Sequence, residues 1–465
     1  MNTTMMNNTA AMTSEKSESV FEKGSLPTPS RDYIASYDIF SATEFESRLL
    51  DPNTPREECQ LKGLYIKKYA DYTLFSYNKE YLTIENTDTL GLFRSVIFYK
   101  DKMVSFAPPK TITLTKPENQ DVLTHLKDKK FKFAEDFVEG THISVFYIGD
   151  GQGLEGDDGW VISSRKVINA KTSFFQNGMT FRDMFKEAMQ NTHLTFDKLN
   201  PNYCYSFILK HPKNRMVCPT PYPTLFLASV YHIEGMIANE IDVHNDAEIS
   251  TMFRNTAIGA PYRYTYELKG LTEQTSSEST YSLDTIQQFT QNLHEYYQGT
   301  VIRDGNKTYK LRNEKYDHIR KLRGNQSKMQ YHYYCLRQAD RLLEFQSYFP
   351  EFKQQFETYE NELNVFINNL YQHYVSRFIR KDSKDMKDYP FEYRNHMWKL
   401  HEQYLMSFRT VKQSINPYIV ARYVSSLEPA KLMHSVNFCK RPPRLIIKDD
   451  NDNNNNIVEM DTSSE

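Results

Sequence analysis

The hydrophobic pattern of this chain changes period once, near residue 326, and that change constrains the fold more than any single motif. Beyond it, Phe352, Phe356, Tyr359, Leu363, Phe366, Leu370 and Tyr374 follow at spacings of 4, 3, 4, 3, 4 and 4. Such spacing lines one face of a long helix. Pro350 stands just before it, a usual place for a helix to start. The stretch FEYRNHMWKLHEQYLMSFRTVKQ predicts another helix. The aromatic stripe therefore reads as the core of a helical C-terminal domain over residues 326–445. Before the change, the apolar residues form short β-forming runs at 72–78, 93–109, 143–148, 160–167, 203–209, 224–233 and 300–312. The last predicts a hairpin turning at Asp304, Gly305 and Asn306. Between these runs, TFRDMFKEAM predicts a helix with Thr180 as its N-cap. Long antiparallel strands with interspersed helices predict an α+β domain over residues 31–325.

At 465 residues the chain is long enough for two such domains and a large core. Its formal net charge is −2, so any nucleic-acid site must be a local basic patch. The five cysteines are scattered with no C-x-x-C pair, which argues against a zinc module and a disulfide framework. A reducing compartment is expected. No apolar run approaches 18 residues, and the N-terminus lacks the apolar stretch of a signal peptide. The expectation is a cytoplasmic protein, in the cell or associated with a virus, with no membrane partner. The 13 histidines show no H-x-E or H-E-x-x-H spacing, so a His-held catalytic metal is not expected. Residues 1–30 are rich in Met, Asn, Thr and Ser, and 446–465 in Asn and Asp; both predict disorder.

The stretch FVEGTHISVFY, residues 137–147, places a Val-Glu-Gly-Thr turn before a run of β-formers. Small residues there let a phosphate approach the backbone. In chain order, LFSYN, FRSVIF, MVSFAPPKTITL, FVEGTHISVFY, WVISSRKVINA, YSFILKHPKNRMV and YYQGTVIRDGNKTYKLRNEKYDHIRK resemble the motifs of the ATP-dependent RNA ligases of the phage tRNA-repair type. These belong to the covalent nucleotidyltransferase superfamily. The resemblance covers residues 60–325 and implies nucleotidyltransferase-like antiparallel sheets with helices, followed by an all-α domain. Family enzymes use a lysine to attack the α-phosphate of ATP, pass AMP to an RNA 5′-phosphate, and join the 3′-hydroxyl. A lysine does this once its pKa is lowered, while carboxylates hold Mg²⁺ and cations neutralise the triphosphate.

Carried over residue by residue, the resemblance gives an uneven result. Phe137 stands at the position of the lysine nucleophile. Glu139 replaces the Asp of the K-x-D-G-S pattern, while Gly140 and Thr141 fit. Arg94 fits the early arginine, followed by Ser95 where the family has Gly. Arg165 matches the basic residue of the next strand. Ile208 and Gln298 stand where the family has glutamates. Lys310 and Arg312 keep both charges of K-x-K. The resemblance thus implies no catalytic residue and no metal ligand at the family positions. It implies nucleotide or phosphate binding by Arg94, Glu139, Gly140, Arg165, Lys310 and Arg312, with ATP and Mg²⁺ as cofactors only where binding is retained. Lys130 and Lys132 sit at odd offsets from Phe137, and Lys166 alternates with Arg165, so all three are expected to point away.

Residues 301–344 hold eleven basic and five acidic residues. Within them Arg320, Lys321, Arg323 and Lys328 are candidate RNA contacts, interleaved with Tyr331, Tyr333, Tyr334, His318 and His332. Such a stretch is either a phosphate-tracking surface with stacking aromatics or a solvated helix face with buried tyrosines. Three functions follow. The chain is an RNA-ligase-like protein that has lost catalysis and binds RNA, a nucleotide or a protein partner, itself included, through the old cleft. Or it is an active ligase or nucleotidyltransferase with a displaced lysine. Or it is a structural assembly protein, for example of a large DNA virus. Convergence of Arg94, Arg165, Lys310 and Arg312 favours the first two; a cleft plugged by Phe137 and Ile208 favours the third.

Overall fold

The structure, a computed structural model, describes residues 31–40, 63–149, 158–173, 178–271, 280–382 and 385–440. The two segments expected to be disordered lie outside these. The largest sheet has seven strands, all antiparallel, in the spatial order Ala35–Asp38, Ile237–Ile241, Thr224–Glu234, Tyr203–Lys210, Thr141–Tyr147, Trp160–Ser164 and Val167–Ile168. Side chains alternate across a strand, and the sequence uses both faces. Ile143, Val145, Tyr205, Phe207 and Leu209 pack against Met184, Phe185 and Ala188 of the helix Phe181–Thr192. That helix starts as expected. The Thr180 side chain accepts from the Asp183 N–H and the Asp183 carboxylate accepts from the Thr180 N–H, a capping box.

The other face carries Phe146, Cys204 and Tyr231, which share a core with a second, four-stranded sheet. Its strands are Leu64–Tyr69, Tyr72–Tyr77, Val96–Tyr99 and Lys102–Phe106, and it contributes Leu74, Phe75, Val96, Phe98 and Phe106. Each fully buried Phe here is worth roughly 1.5–3 kcal/mol. His142, Ser144 and Ser206 alternate onto this same face, so a polar strip runs beside the aromatic core. The run 93–109 is a hairpin rather than one strand, because the chain turns at Lys100, whose φ is +52°.

A third sheet orders Ile112–Thr113, Lys307–Arg312, Gly299–Asp304 and Glu135–Asp136. Its hairpin turns at Gly305 and Asn306 as predicted. Ile302, Tyr309 and Leu311 pack under the helices Gln120–Leu126 and Leu283–Asn292. Alternation then sends Lys310 and Arg312 to the opposite face. Gly299 needs its small size: its φ is +137°, and a Cβ there would lie 2.0 Å from the Leu311 carbonyl oxygen.

The C-terminal part is helical, with its longest helix at Lys353–Tyr374 after a short turn begun by Pro350. Phe356, Leu363, Phe366, Leu370 and Tyr374 are buried in its core, and Phe352 and Tyr359 pack on its edge, as the stripe predicts. Tyr316, Ile319 and Leu322 of the helix Glu314–Arg323 already belong to this core, because their spacing of three presents one apolar face to it. His332, Tyr333 and Tyr334 are buried as well, so they are structural and not a stacking platform for bases.

A candidate phosphate-binding cleft

Phe137 is the reference point, because the third sheet and the seven-stranded sheet meet beside it. Its N–H donates to the Gly299 carbonyl at 3.0 Å. Lys310 Nζ and Arg312 Cζ each lie 5.2 Å from the centroid of its ring. This is cation–π geometry. Strand alternation on 307–312 and the Phe137–Gly299 bond together explain it. The position that lacks a lysine is therefore flanked by the two retained cations.

The electrostatic couplings extend the cluster. Burial pushes the Lys310 ammonium down to about 7, and Arg312, Lys110, Arg94 and Arg320 push in the same direction. Burial and then Arg165 lower Arg94; burial and then Arg94, Lys116, Lys79 and Arg165 lower Lys110. Arg94, Lys110, Arg165, Lys310, Arg312 and Arg320 thus form one positive field. Only Arg312 finds an acid, Asp317 at 3.3 Å, among the described residues. Lys110 was not foreseen from the sequence; its place straight after the Pro108–Pro109 pair, which delivers the chain to the third sheet, was the available signal.

Beneath the cations, His142 Nε2 lies 3.2 Å from Ser206 Oγ. Burial, then Arg94 and Arg165, push this imidazole down to about 3, so it is neutral at pH 7. Its Nδ1, with Ser144 Oγ and Ser95 Oγ, is buried without a partner. Leaving such an atom unsatisfied costs about 1–3 kcal/mol. A polar ligand entering the cleft would recover part of that cost. His142 and Ser144 follow the Gly-Thr turn directly and could have been found from alternation alone.

The remaining expected site residues divide. Arg165 is not on a strand; with Lys166 it forms the turn between Trp160–Ser164 and Val167–Ile168. Lys166 lies 5.9 Å from the Tyr65 ring, away from Phe137, and Lys130 and Lys132 are exposed. Gly140 is required for packing: a Cβ would sit 2.5 Å from Ile208 Cγ2 and 2.6 Å from the Leu209 carbonyl oxygen. Glu139 departs from its expected role. It is buried and accepts from the Val217 N–H at 3.1 Å and the Cys218 N–H at 3.1 Å, anchoring a loop instead of facing the cations. Gln298 is buried, and its carbonyl accepts from the Asn313 N–H at 3.2 Å. Arg320 joins the cluster, and Lys321 and Lys328 are exposed. Arg323 is a correction to the RNA set: it is 2% exposed, 5.2 Å from the Phe352 ring and 5.9 Å from the Phe349 ring. Its place on the core face of the helix, with the guanidinium itself buried over the Phe349 and Phe352 rings, accounts for that burial.

Among the described residues, no group of three or more His, Cys, Asp or Glu side chains could hold a metal ion. Around Phe137 the described residues gather cations and unpaired polar atoms but no carboxylate cage. A divalent cation would have to arrive on a polyphosphate, as Mg²⁺ commonly does. Among the same residues, no helix is long and apolar enough to cross a membrane.

No protein-family model matches the chain. It is 29% identical over 106 residues to an RNA ligase of Rhodothermus phage RM378, a match that spans 21% of this chain and 22% of that ligase. It is 24% identical over 334 residues to an immediate-early protein ICP-46 homolog of Invertebrate iridescent virus 6, covering 66% of this chain and 67% of that protein. Among solved structures, an archaeal ATP-dependent RNA ligase shares 13% identity at a TM-score of 0.35, covering 69% of this chain and 73% of the other. That TM-score describes a loose likeness of chain trace.

Proposed function

We propose that this protein binds a nucleoside triphosphate and RNA phosphates in the cleft beside Phe137, as an RNA-ligase-like member of the nucleotidyltransferase class whose usual lysine position is empty of a nucleophile. What supports the reading is the electrostatic coupling of Arg94 to Arg165, and of Lys310 to Arg312 and Arg94, with Asp317 as the sole ion-pair partner of these four cations among the described residues. Clustered cations that lack acids are stabilised by a polyanion. The unpaired His142 Nδ1 and Ser144 Oγ add hydrogen-bonding capacity for a polar ligand. The sequence likeness to a phage RNA ligase supports the same reading, and that to a second viral protein supports a viral setting. The scaffold alternative needs a blocked cleft, whereas Phe137 is only partly buried and is itself capped by cations.

The test is equilibrium binding of ATP, with and without Mg²⁺, and of single-stranded RNA at low salt. Binding of both, weakened by Arg94→Ala, is expected. Failure of the wild-type protein to bind either ligand would remove the reading and leave assembly ahead. Loss of catalysis at Phe137 is part of the proposal for that position only; the cleft holds a second amine.

A further inference from the structure

We infer that the helical C-terminal domain carries a second nucleic-acid surface, where the exposed ring of Trp398 stacks on a base of single-stranded RNA and cations on either side hold its phosphates. The surface is separate from the cleft beside Phe137. It rests on the reading above only in taking RNA as the partner.

The rings make the first argument. Trp398 is 52% exposed, an unusual state for so large an apolar side chain, whereas the other tryptophan, Trp160, is 5% exposed. Phe378 meets Trp398 at a centroid distance of 5.7 Å and an interplanar angle of 67°. That is an edge contact, not the parallel stack that would cover a ring face. Behind it, Phe378 stacks on His401 at 3.9 Å and 12°, and His401 on Tyr404 at 5.8 Å and 23°. The rings thus form a fixed support with an open end. Both helices leave α geometry where they carry Phe378 and Tyr404: Val375–Arg380 and Tyr404–Phe408 are π turns. Such turns are rare and frequently lie at functional sites.

Charge decides the occupant. Residues 375–412 hold nine basic and five acidic residues in a chain of net charge −2. Arg380 and Lys381 close the turn that carries Phe378, Lys399 follows Trp398, and Arg409 follows the turn that carries Tyr404. All four are exposed, and none has an ion-pair partner among the described residues. Among the acids, Asp382 accepts from Ser376 Oγ at 2.6 Å, and Asp385 and Asp388 cap one short turn. Open rings among unpaired cations match a single strand, which offers a π face and a phosphate at every nucleotide. A duplex keeps its bases stacked on one another. A second copy of this chain would bring the same cations to the contact, and like charges facing each other disfavour it.

The full-length protein is titrated at low salt with a single-stranded RNA of about 12 nucleotides, and tryptophan emission and RNA anisotropy are followed together. Trp160 is buried, so a stacked base should quench the emission of Trp398, and a matched duplex should not. Trp398→Leu should lose the quenching and bind the strand about 5- to 150-fold more weakly, the factor that about 1–3 kcal/mol per stacked base gives. Trp398→Tyr keeps a ring and should recover most of that loss. RNA binding without quenching, or Trp398→Leu binding as tightly as the wild type, overturns this proposal and leaves the cleft reading standing. Slower self-association of Trp398→Leu with RNA binding intact assigns the face to a second copy and also overturns it. Loss in Trp398→Leu with none in Arg94→Ala supports this surface and removes RNA from the cleft. A wild type that binds no RNA overturns this surface and the RNA part of the cleft reading, and ATP binding then tests the rest.

Discussion

One hairpin carries two cations, partly buried Arg303 and buried Lys310, with opposite surroundings. Arg303, on the strand Gly299–Asp304, meets Glu240 at 2.9 Å and Glu135 at 3.8 Å. Arg263 closes that network by pairing with Glu135 and Asp242, each at 3.0 Å. Together they tie the seven-stranded sheet to the third sheet. Glu240 first, and Glu135 after burial, raise the Arg303 guanidinium well above its ordinary value. Lys310, on the next strand, is lowered to about 7 by burial first and then by four cationic neighbours. The first cation is satisfied by the fold. The second is a cost that the fold carries, and such costs persist where a ligand or a reaction uses them.

The largest expected effect breaks the paired side. Glu240→Ala leaves the partly buried Arg303 without its nearest carboxylate, and losing a hydrogen bond to a charged group costs about 1.5–3 kcal/mol. Denaturant unfolding measures it, and a loss below about 1 kcal/mol, the level of an exposed pair, would refute the contrast. Lys310→Met has the opposite sign: at pH 6 it should leave stability equal or higher. The pH course follows from linkage. The native pKa of Lys310, about 7, lies below its ordinary value. Between pH 7 and that ordinary value the unfolded chain binds the extra proton, so wild-type stability rises with pH across the window. The Met variant should lack that rise. Equal slopes for both proteins would mean that Lys310 is not held neutral by the fold.

The next effect concerns the unpaired side as an anion site. At pH 6, where Lys310 is charged, if Lys310 and Arg312 each touch an RNA phosphate, replacing both with Ala should flatten the dependence of log K on log salt by roughly 1.4, twice the value of about 0.7 for one contact with a single strand. Filter binding across a range of salt checks this. Arg323→Met should leave the slope unchanged, because Arg323 packs on Phe352 and meets no solvent. An unchanged slope in the double variant would assign those cations to a structural role.

What could be read in the sequence divides along the same line. Elements set by local pattern were legible: the capped helix at Thr180, the hairpin at Gly305 and Asn306, and the apolar stripe from Phe352 to Tyr374. That Arg94, Arg165, Lys310 and Arg312 face a phosphate was implied only by the resemblance to the ligase motifs, since no local pattern ties these positions together. Groups whose role depends on partners distant in sequence were not legible. Glu139 reads as a site acid, but its partners are the N–H groups of Val217 and Cys218, far along the chain. Arg323 reads as one of a basic run, yet Phe349 and Phe352 enclose it. The network of Arg263, Arg303, Glu135, Glu240 and Asp242 gives no local signal, since each partner comes from a different segment. The depressed basicity of Lys310 likewise needs three dimensions, because burial is its main cause.

The smallest expected effect separates the ring of Phe137 from the charge above it. Phe137→Leu removes cation–π contacts to Lys310 and Arg312, each worth about 0.5–1 kcal/mol at exposed sites and about 2 where desolvated. It also shrinks a partly buried side chain, so a loss of stability alone would not identify the cause. Titration separates the two. The packing part is the same at every pH, and Arg312 stays charged throughout. Lys310 is charged at pH 6 and neutral at pH 9, and a neutral amine gains little from the ring quadrupole. The penalty of Phe137→Leu should therefore shrink by about 0.5–1 kcal/mol between those two values. In the Lys310→Met background the penalty should be flat with pH. A penalty that is equally flat in the wild-type background would mean that the ring packs against the lysine stem and not beneath its charge, and the distinction between a paired and an unpaired cation would then rest on Arg303 alone.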